Sequence, residues 1–173
     1  MKSLKLSTKE KLKKFGILLL DAIIMAVLIF IDQYTKYMAV VRLKNKPAFS
    51  IINGVLEFNY LENTGAAFGM LQNQRIFFIF VEVIVLSVIA YILYKTPNRK
   101  KYNLMHILLT LIAAGAIGNM IDRVRLNYVV DFIYIVLINF PIFNMADIYV
   151  TVATAILILA LLFQLAQGMG YFI

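Results

Sequence analysis

The sequence predicts an all-α integral membrane protein: four transmembrane helices carrying a small extracytoplasmic β element and an interfacial segment. Three observations predict it. Of the 173 residues, 62% are hydrophobic and mean hydropathy is +0.85, more apolar surface than a soluble core of this size hides. Four runs (Phe15–Ile31, Ile76–Tyr94, Leu104–Ile121 and Ile148–Ala166) approach the roughly 20 residues that cross a bilayer's hydrocarbon core. Basic residues, the source of a net charge of +8, crowd the N-terminus and the second connection. One domain over 1–173 is expected. It comprises a basic cytoplasmic tail over 1–14, spans near 15–35, 76–94, 104–121 and 147–166, and an outer hairpin region over 48–70.

The tail holds Lys2, Lys5, Lys9, Lys11, Lys13 and Lys14 and gives the first run the look of a secretory leader. The run is longer than a leader core, contains Asp21 and continues into Asp32-Gln33-Tyr34 without a small-residue cleavage site, so it is read as a retained helix. With Lys95, Arg99, Lys100 and Lys101 in the second connection, the positive-inside rule puts both termini in the cytoplasm and connections 32–75 and 122–147 outside. The tail is a topology signal in contact with anionic lipid, not a nucleic-acid site.

In the first outer connection, FSIINGVLEF (Phe49–Phe58) sets Asn53-Gly54 between two short β-prone runs, a hairpin signal for a type I′ turn. NTGAAFG (Asn63–Gly69) reads as a loop whose backbone lies close to something else. In the other outer connection, Asp131, Asn139 and Pro141 interrupt an apolar stretch too often for a fifth span, so interfacial strand or re-entrant structure is expected there.

A charge at mid-bilayer costs about 2.5–3.5 kcal/mol, so each acid beside a span needs a partner or a purpose. Asp32 and Lys36 are spaced i,i+4 and can pair. Glu82 reads as a packing residue. Ala114 and Gly118 let another helix approach closely. Asn119, Asp122 and Arg123 project from one side of the third span's outer end, where an arginine is one candidate partner for Asp122. The sharpest signal is Asp131 in VVDF and Asp147 in FNMAD, each flanked by apolar residues at the same outer boundary. A return of the chain between them brings them face to face. Two carboxylates close together in a dry site share a proton near neutral pH and can divide acid and base work. Cysteine is absent, which excludes disulfides, thiolate nucleophiles and thiolate metal sites. His106, the one histidine, falls at the inner end of the third span, where a packing role is expected; the donor set is too sparse for a zinc hydrolase.

DQYTK (Asp32–Lys36), NTGAAFG (Asn63–Gly69), GAIGNMIDR (Gly115–Arg123), VVDF (Val129–Phe132) and FNMAD (Phe143–Asp147) together resemble, in order, the five motifs of the bacterial lipoprotein signal peptidase (signal peptidase II) family. The resemblance implies a four-helix aspartyl endopeptidase with a small extracytoplasmic β-cradle, cutting prolipoproteins immediately before a diacylglyceryl-modified cysteine. It implies Asp131 and Asp147 as the catalytic dyad. Asp32, Lys36, Asn63, Gly115, Asn119, Asp122, Arg123, Asn144 and Ala146 become the residues that orient dyad and substrate. It implies no cofactor or metal, a site blocked by cyclic peptides such as globomycin, and a place in the bacterial cytoplasmic membrane. The expected partners are diacylglyceryl prolipoproteins and membrane phospholipids, with no nucleic acid, and a monomer is expected. Phe58, Phe68 and Phe132 are candidate clamps on the substrate; Arg42, Lys44 and Lys46 are candidate phosphate contacts. Two other classes compete. A proton- or cation-coupled transporter would line a path with Asp21, Asp32 and Glu82, and requires an inverted symmetry that the sequence does not display. A noncatalytic scaffold would use only the Gly/Ala faces.

Overall fold

The computed structural model describes residues 7–65, 70–97, 99–166 and 168. Phe68, with the Ala66–Gly69 part of its motif, and the tail lysines Lys2 and Lys5 lie outside them. Four helices are long and apolar enough to cross a membrane: α1 (Thr8–Leu43), α2 (Arg75–Lys95), α3 (Asn103–Leu126) and α4 (Met145–Ala166). They carry one antiparallel sheet in the order β1-β2-β3, formed by Phe49–Ile52, Leu56–Asn63 and Val129–Ile135. The all-α membrane class with a small β element is the one expected.

α1 begins well before its apolar run. Ser7 caps it, accepting from the Glu10 amide at 3.3 Å while the Ser7 amide donates to the Glu10 carboxylate at 2.8 Å, a reciprocal box that fixes the start. The lysines from Lys9 to Lys14 are thus the first turns of a 36-residue helix, not a separate tail. At about 1.5 Å per residue that helix is longer than the hydrocarbon layer is thick.

α3 is the central helix. It packs against each of the other three, and 56% of its most apolar stretch is buried, against 11% in each of theirs. Small residues permit this: the face carrying Ala113, Ala114, Gly115 and Gly118 is buried, so neighbouring backbones come close. A Cβ on Gly115 would stand 2.5 Å from the Ala146 carbonyl oxygen of α4, and one on Gly118 would stand 2.5 Å from Asp32 Oδ2 of α1. At the N-terminal end of α3, His106 Nδ1 lies 2.7 Å from Asp21 Oδ2, both side chains buried, which ties α3 to α1 as a packing pair.

The β1–β2 hairpin forms where expected, with a different turn. Gly54 alone takes positive φ (+70°), whereas type I′ requires it of Asn53 as well. The turn is closed by the Val55 amide donating to the Ile52 carbonyl at 2.9 Å. Under the sheet, Val130 and Phe132 pack on Ala39 of α1, with Phe58 meeting Phe132 edge to face at 5.8 Å. Phe132 is only 6% exposed, so it is core rather than a clamp presented to a substrate.

The expected return of the chain takes a definite form. After β3, a turn of 3-10 helix (Val136–Ile138) and a left-handed Asn139 reverse the backbone, and Phe143 bridges back to Ile133 with mutual amide–carbonyl bonds of 2.8 and 3.0 Å. This bridge sets the start of α4 beside β3.

Candidate active site

The site grows from the N-terminus of α4. Asn144 precedes the first helical residue, and its Oδ1 accepts from the Asp147 amide at 3.1 Å while the Asn144 amide donates to Asp147 Oδ2 at 3.1 Å. FNMAD is therefore a reciprocal helix cap with a carboxylate in its third position. Asp147 Oδ1 also accepts from Asn119 Nδ2 of α3 at 2.9 Å.

Asp131 is positioned by the sheet. It pairs across from Leu61, with Asn63 as its diagonal neighbour on the same face, and Asn63 Nδ2 donates to Asp131 Oδ2 at 2.8 Å. Asn144 Nδ2 donates to Asp131 Oδ1 at 2.6 Å and to Asn119 Oδ1 at 3.1 Å. The two carboxylates thus stand on different elements, joined through the amides of Asn144 and Asn119.

A charged cluster beneath fixes those amides. Lys36 Nζ donates to Asn119 Oδ1 at 2.9 Å and pairs with Asp32 Oδ2 and Asp122 Oδ2, each at 3.0 Å, all three side chains buried. Asp32 Oδ1 accepts from the Ala146 amide at 2.9 Å, a free donor of the α4 first turn. Asp122 Oδ2 also receives the Val130 amide of β3 at 3.1 Å. The anticipated arginine partner of Asp122 is replaced by Lys36. Arg123 instead forms an ion pair with Glu82 of α2, lies 4.7 Å from the Phe78 ring centre, and reaches toward the Gly65 carbonyl at 3.5 Å.

Asn63, Asn119, Arg123, Asp131 and Asp147 face one cavity of about 210 Å³, closed on the other side by Phe140 to Phe143. Burial raises Asp131 from the usual carboxylate range to about 7; the negative charge of Asp147 adds to the rise, against the opposing amides of Asn63 and Asn144. Burial leads because Asp131 is 2% exposed. The arrangement keeps the Asp131 carboxyl able to hold a proton near neutrality, in the cavity that Asp147 also faces.

The structure brings together Asp32, Lys36, Asn63, Asn119, Asp122, Arg123, Asp131, Asn144 and Asp147, while Gly115 and Ala146 act as the close helix contact beneath them. Lys44 is committed to Glu62 at 2.7 Å, which fills the phosphate role suggested for it with a carboxylate. Sequence reasoning passes over Gln33, whose Nε2 donates to Asp122 Oδ1 at 2.9 Å, the Gly118 carbonyl at 3.1 Å and Asp32 Oδ2 at 3.2 Å. Its signal was present: an amide in an apolar helix beside a buried acid. Glu82 as the partner of Arg123 was also missed, though a lone acid in α2 needed a cation.

Comparison with known proteins places the chain in a family. A family model described as Signal peptidase (SPase) II matches residues 24–163. The chain belongs to the signal peptidase II family. The lipoprotein signal peptidase of Caldanaerobacter subterraneus subsp. tengcongensis is 44% identical over 143 residues, covering 82% of this chain and 95% of the relative. That of Enterococcus faecalis is 46% identical over 125 residues, covering 72% and 76%. A bacterial membrane enzyme solved by the in meso method at 2.3 Å superposes with a TM-score of 0.79 at 32% identity, covering 88% of this chain and 93% of that one. A second, solved by the same method at 1.9 Å, gives 0.73 at 35% identity over 82% and 92%. Signal peptidase II membership makes the chain a multi-pass membrane peptidase and leaves the transporter reading without support.

Proposed function

We propose that the peptidase is of the aspartic type and removes signal peptides from prolipoproteins before a diacylglyceryl-modified cysteine, with Asp131 and Asp147 as its catalytic pair. The observation that carries the proposal is the single cavity faced by both carboxylates, which are joined through the Asn144 and Asn119 amides. Asp147 takes a proton from water, whose oxygen attacks the scissile carbonyl, while protonated Asp131 donates to the carbonyl oxygen. Collapse of the tetrahedral intermediate returns a proton to the departing amine of the lipidated cysteine. Asn63, Asn119 and Asn144 hold the two carboxyls, and Arg123, anchored by Glu82, offers a fixed cation at the cavity wall.

The basic ends of α1 and α2 orient the chain with both termini in the cytoplasm, so the cavity opens at the outer face. Diacylglyceryl prolipoproteins enter sideways, acyl chains remaining in lipid, and the enzyme works as a monomer. The test is cleavage of a diacylglyceryl prolipoprotein in detergent, with chelator present, by the wild type and by Asp131→Asn and Asp147→Asn. Each variant is expected to lose turnover by about 10³-fold or more, the scale of removing an acid–base group and its electrostatics. Near-normal turnover in either one rejects the pair.

A further inference from the structure

An apolar hollow lies at the end of the bundle opposite the carboxylates. It opens between the last turns of α2, the first turns of α3 and the later turns of α4, with about 520 Å³ of space walled by Ile92, Met105, Leu109, Leu157 and Leu161. The one hydroxyl of its short side chains is taken, because Thr96 Oγ1 donates to the Ile92 carbonyl at 2.7 Å. These five aliphatic walls favour a hydrocarbon chain and offer a polar group no partner.

The rim has the opposite character. Between Glu82 and Asp122 the chain contains no acid, yet it contributes Lys95, Arg99, Lys100 and Lys101 at this end. Ammonium groups lie over tyrosine rings at it: Lys95 over Tyr91 at 5.7 Å and Lys101 over Tyr102 at 4.8 Å. Tyr91, Lys95 and Tyr102 also face the hollow itself. Rings of this kind sit at headgroup depth, and a juxtamembrane lysine attracts anionic lipid.

We propose that this hollow binds one anionic phospholipid, an acyl chain between α2, α3 and α4 and the phosphate over Lys95 and its neighbours. The site is independent of the peptidase centre. Native mass spectrometry of the full chain in detergent, titrated with phosphatidylglycerol or with phosphatidylcholine of the same acyl chains, tests it. The first phosphatidylglycerol adduct is expected to bind about five-fold tighter for each lysine engaged. In Lys95→Gln/Lys101→Gln the two lipids are expected to bind alike. Leu161→Trp, which fills the hollow from a lipid-facing position, is expected to remove the tight adduct while weak surface adducts persist. Equal affinity for the two lipids in the wild type overturns the proposal. So does selectivity unchanged in either variant, each checked for an unchanged melting temperature in lipid-free detergent. Selectivity that emerges only after deletion of residues 169–173 also overturns it, since the chain's own end then occupies the hollow.

Discussion

Asn144 and Asp147 cap each other: the side chain of each accepts the backbone amide of the other at 3.1 Å, so the turn that starts α4 is also the turn that aims a carboxylate. Asn144 has a second task through Nδ2, which bonds Asp131 and Asn119. The tasks can be separated. In Asn144→Ala both are lost, and stability is expected to fall by about 1–3 kcal/mol as the cap goes and buried acceptors lose a donor. In Asn144→Ser the hydroxyl can still cap, so melting is expected near the wild type while turnover drops by about 100-fold, the scale of one lost positioning group. Equal losses of melting temperature and turnover in the two variants would show that the amide only caps.

The raised Asp131 gives a pH dependence with a defined sign. In the proposed mechanism its proton is the one donated, and the group titrates at about 7, so kcat/KM is expected to fall tenfold per pH unit above that value and to be level just below it. Stability follows the same shift. A carboxyl raised from 3.8 to about 7 favours the fold fully below 3.8 relative to higher pH, and that advantage is lost as pH climbs toward 7. Asp131→Asn, which never ionises, is expected to melt higher than the wild type at pH 8 and about equally at pH 3. A melting difference that stays constant with pH contradicts the shift.

Much of this was readable from residues alone, because apolar runs, hairpin signal and acids at a span boundary each report a local cost that only a few arrangements relieve. Asp131 and Asp147 stand out since a carboxylate between apolar neighbours is expensive anywhere else. What was not readable is pairwise. Lys36 rather than an arginine meets Asp122, Glu82 meets Arg123, and Gln33 links two acids, all choices made by three-dimensional proximity between α1, α2 and α3. The turn at Gly54 escaped for a related reason: Asn-Gly favours type I′, but the β-bulge between Ser50 and Ile52 shifts the strand register beside it.

The glycines of α3 separate close packing from backbone freedom. Gly115→Ala sets a methyl 2.5 Å from the Ala146 carbonyl oxygen and 2.7 Å from Val150, so α3 and α4 must part, with a cost of about 1–3 kcal/mol and a displaced Asp147. Gly118→Ala meets Asp32 Oδ2 and disturbs the lysine cluster instead. Gly16→Ala meets nothing within 4 Å and is expected to be neutral, or stabilising by up to about 1 kcal/mol through helix propensity. Thermal melts of the three variants in one detergent check the order.

Arg123 engages Glu82, the Gly65 carbonyl and the Phe78 ring at once, which suits a planar guanidinium and not a lysine. Arg123→Lys keeps the charge and is expected to retain most stability but lose about tenfold in kcat/KM, because the cation no longer stands fixed at the cavity wall. Glu82→Gln is expected to lower turnover in the same assay by freeing Arg123, though Glu82 itself does not face the cavity. Full activity in both variants removes Arg123 from the reaction.

Lys36 is the cation on which the inner shell depends. Its three donors are all used, on Asp32, Asp122 and Asn119, and its side chain is 3% exposed. Lys36→Met leaves two buried carboxylates facing one another without a counter-charge, and a loss of about 3–5 kcal/mol is expected. Adding Asp122→Asn removes one of those charges and keeps one acceptor oxygen, enough for the Val130 amide or for Gln33 but not for both, so part of the stability is expected to return. Activity is not expected to return with it. Asn119 Oδ1 still lacks the ammonium that fixes its amide, and that amide is what holds Asp147. A double variant that melts closer to the wild type than Lys36→Met yet cleaves no faster locates the role of Lys36 in orienting Asn119; recovery of both together reduces it to charge balance.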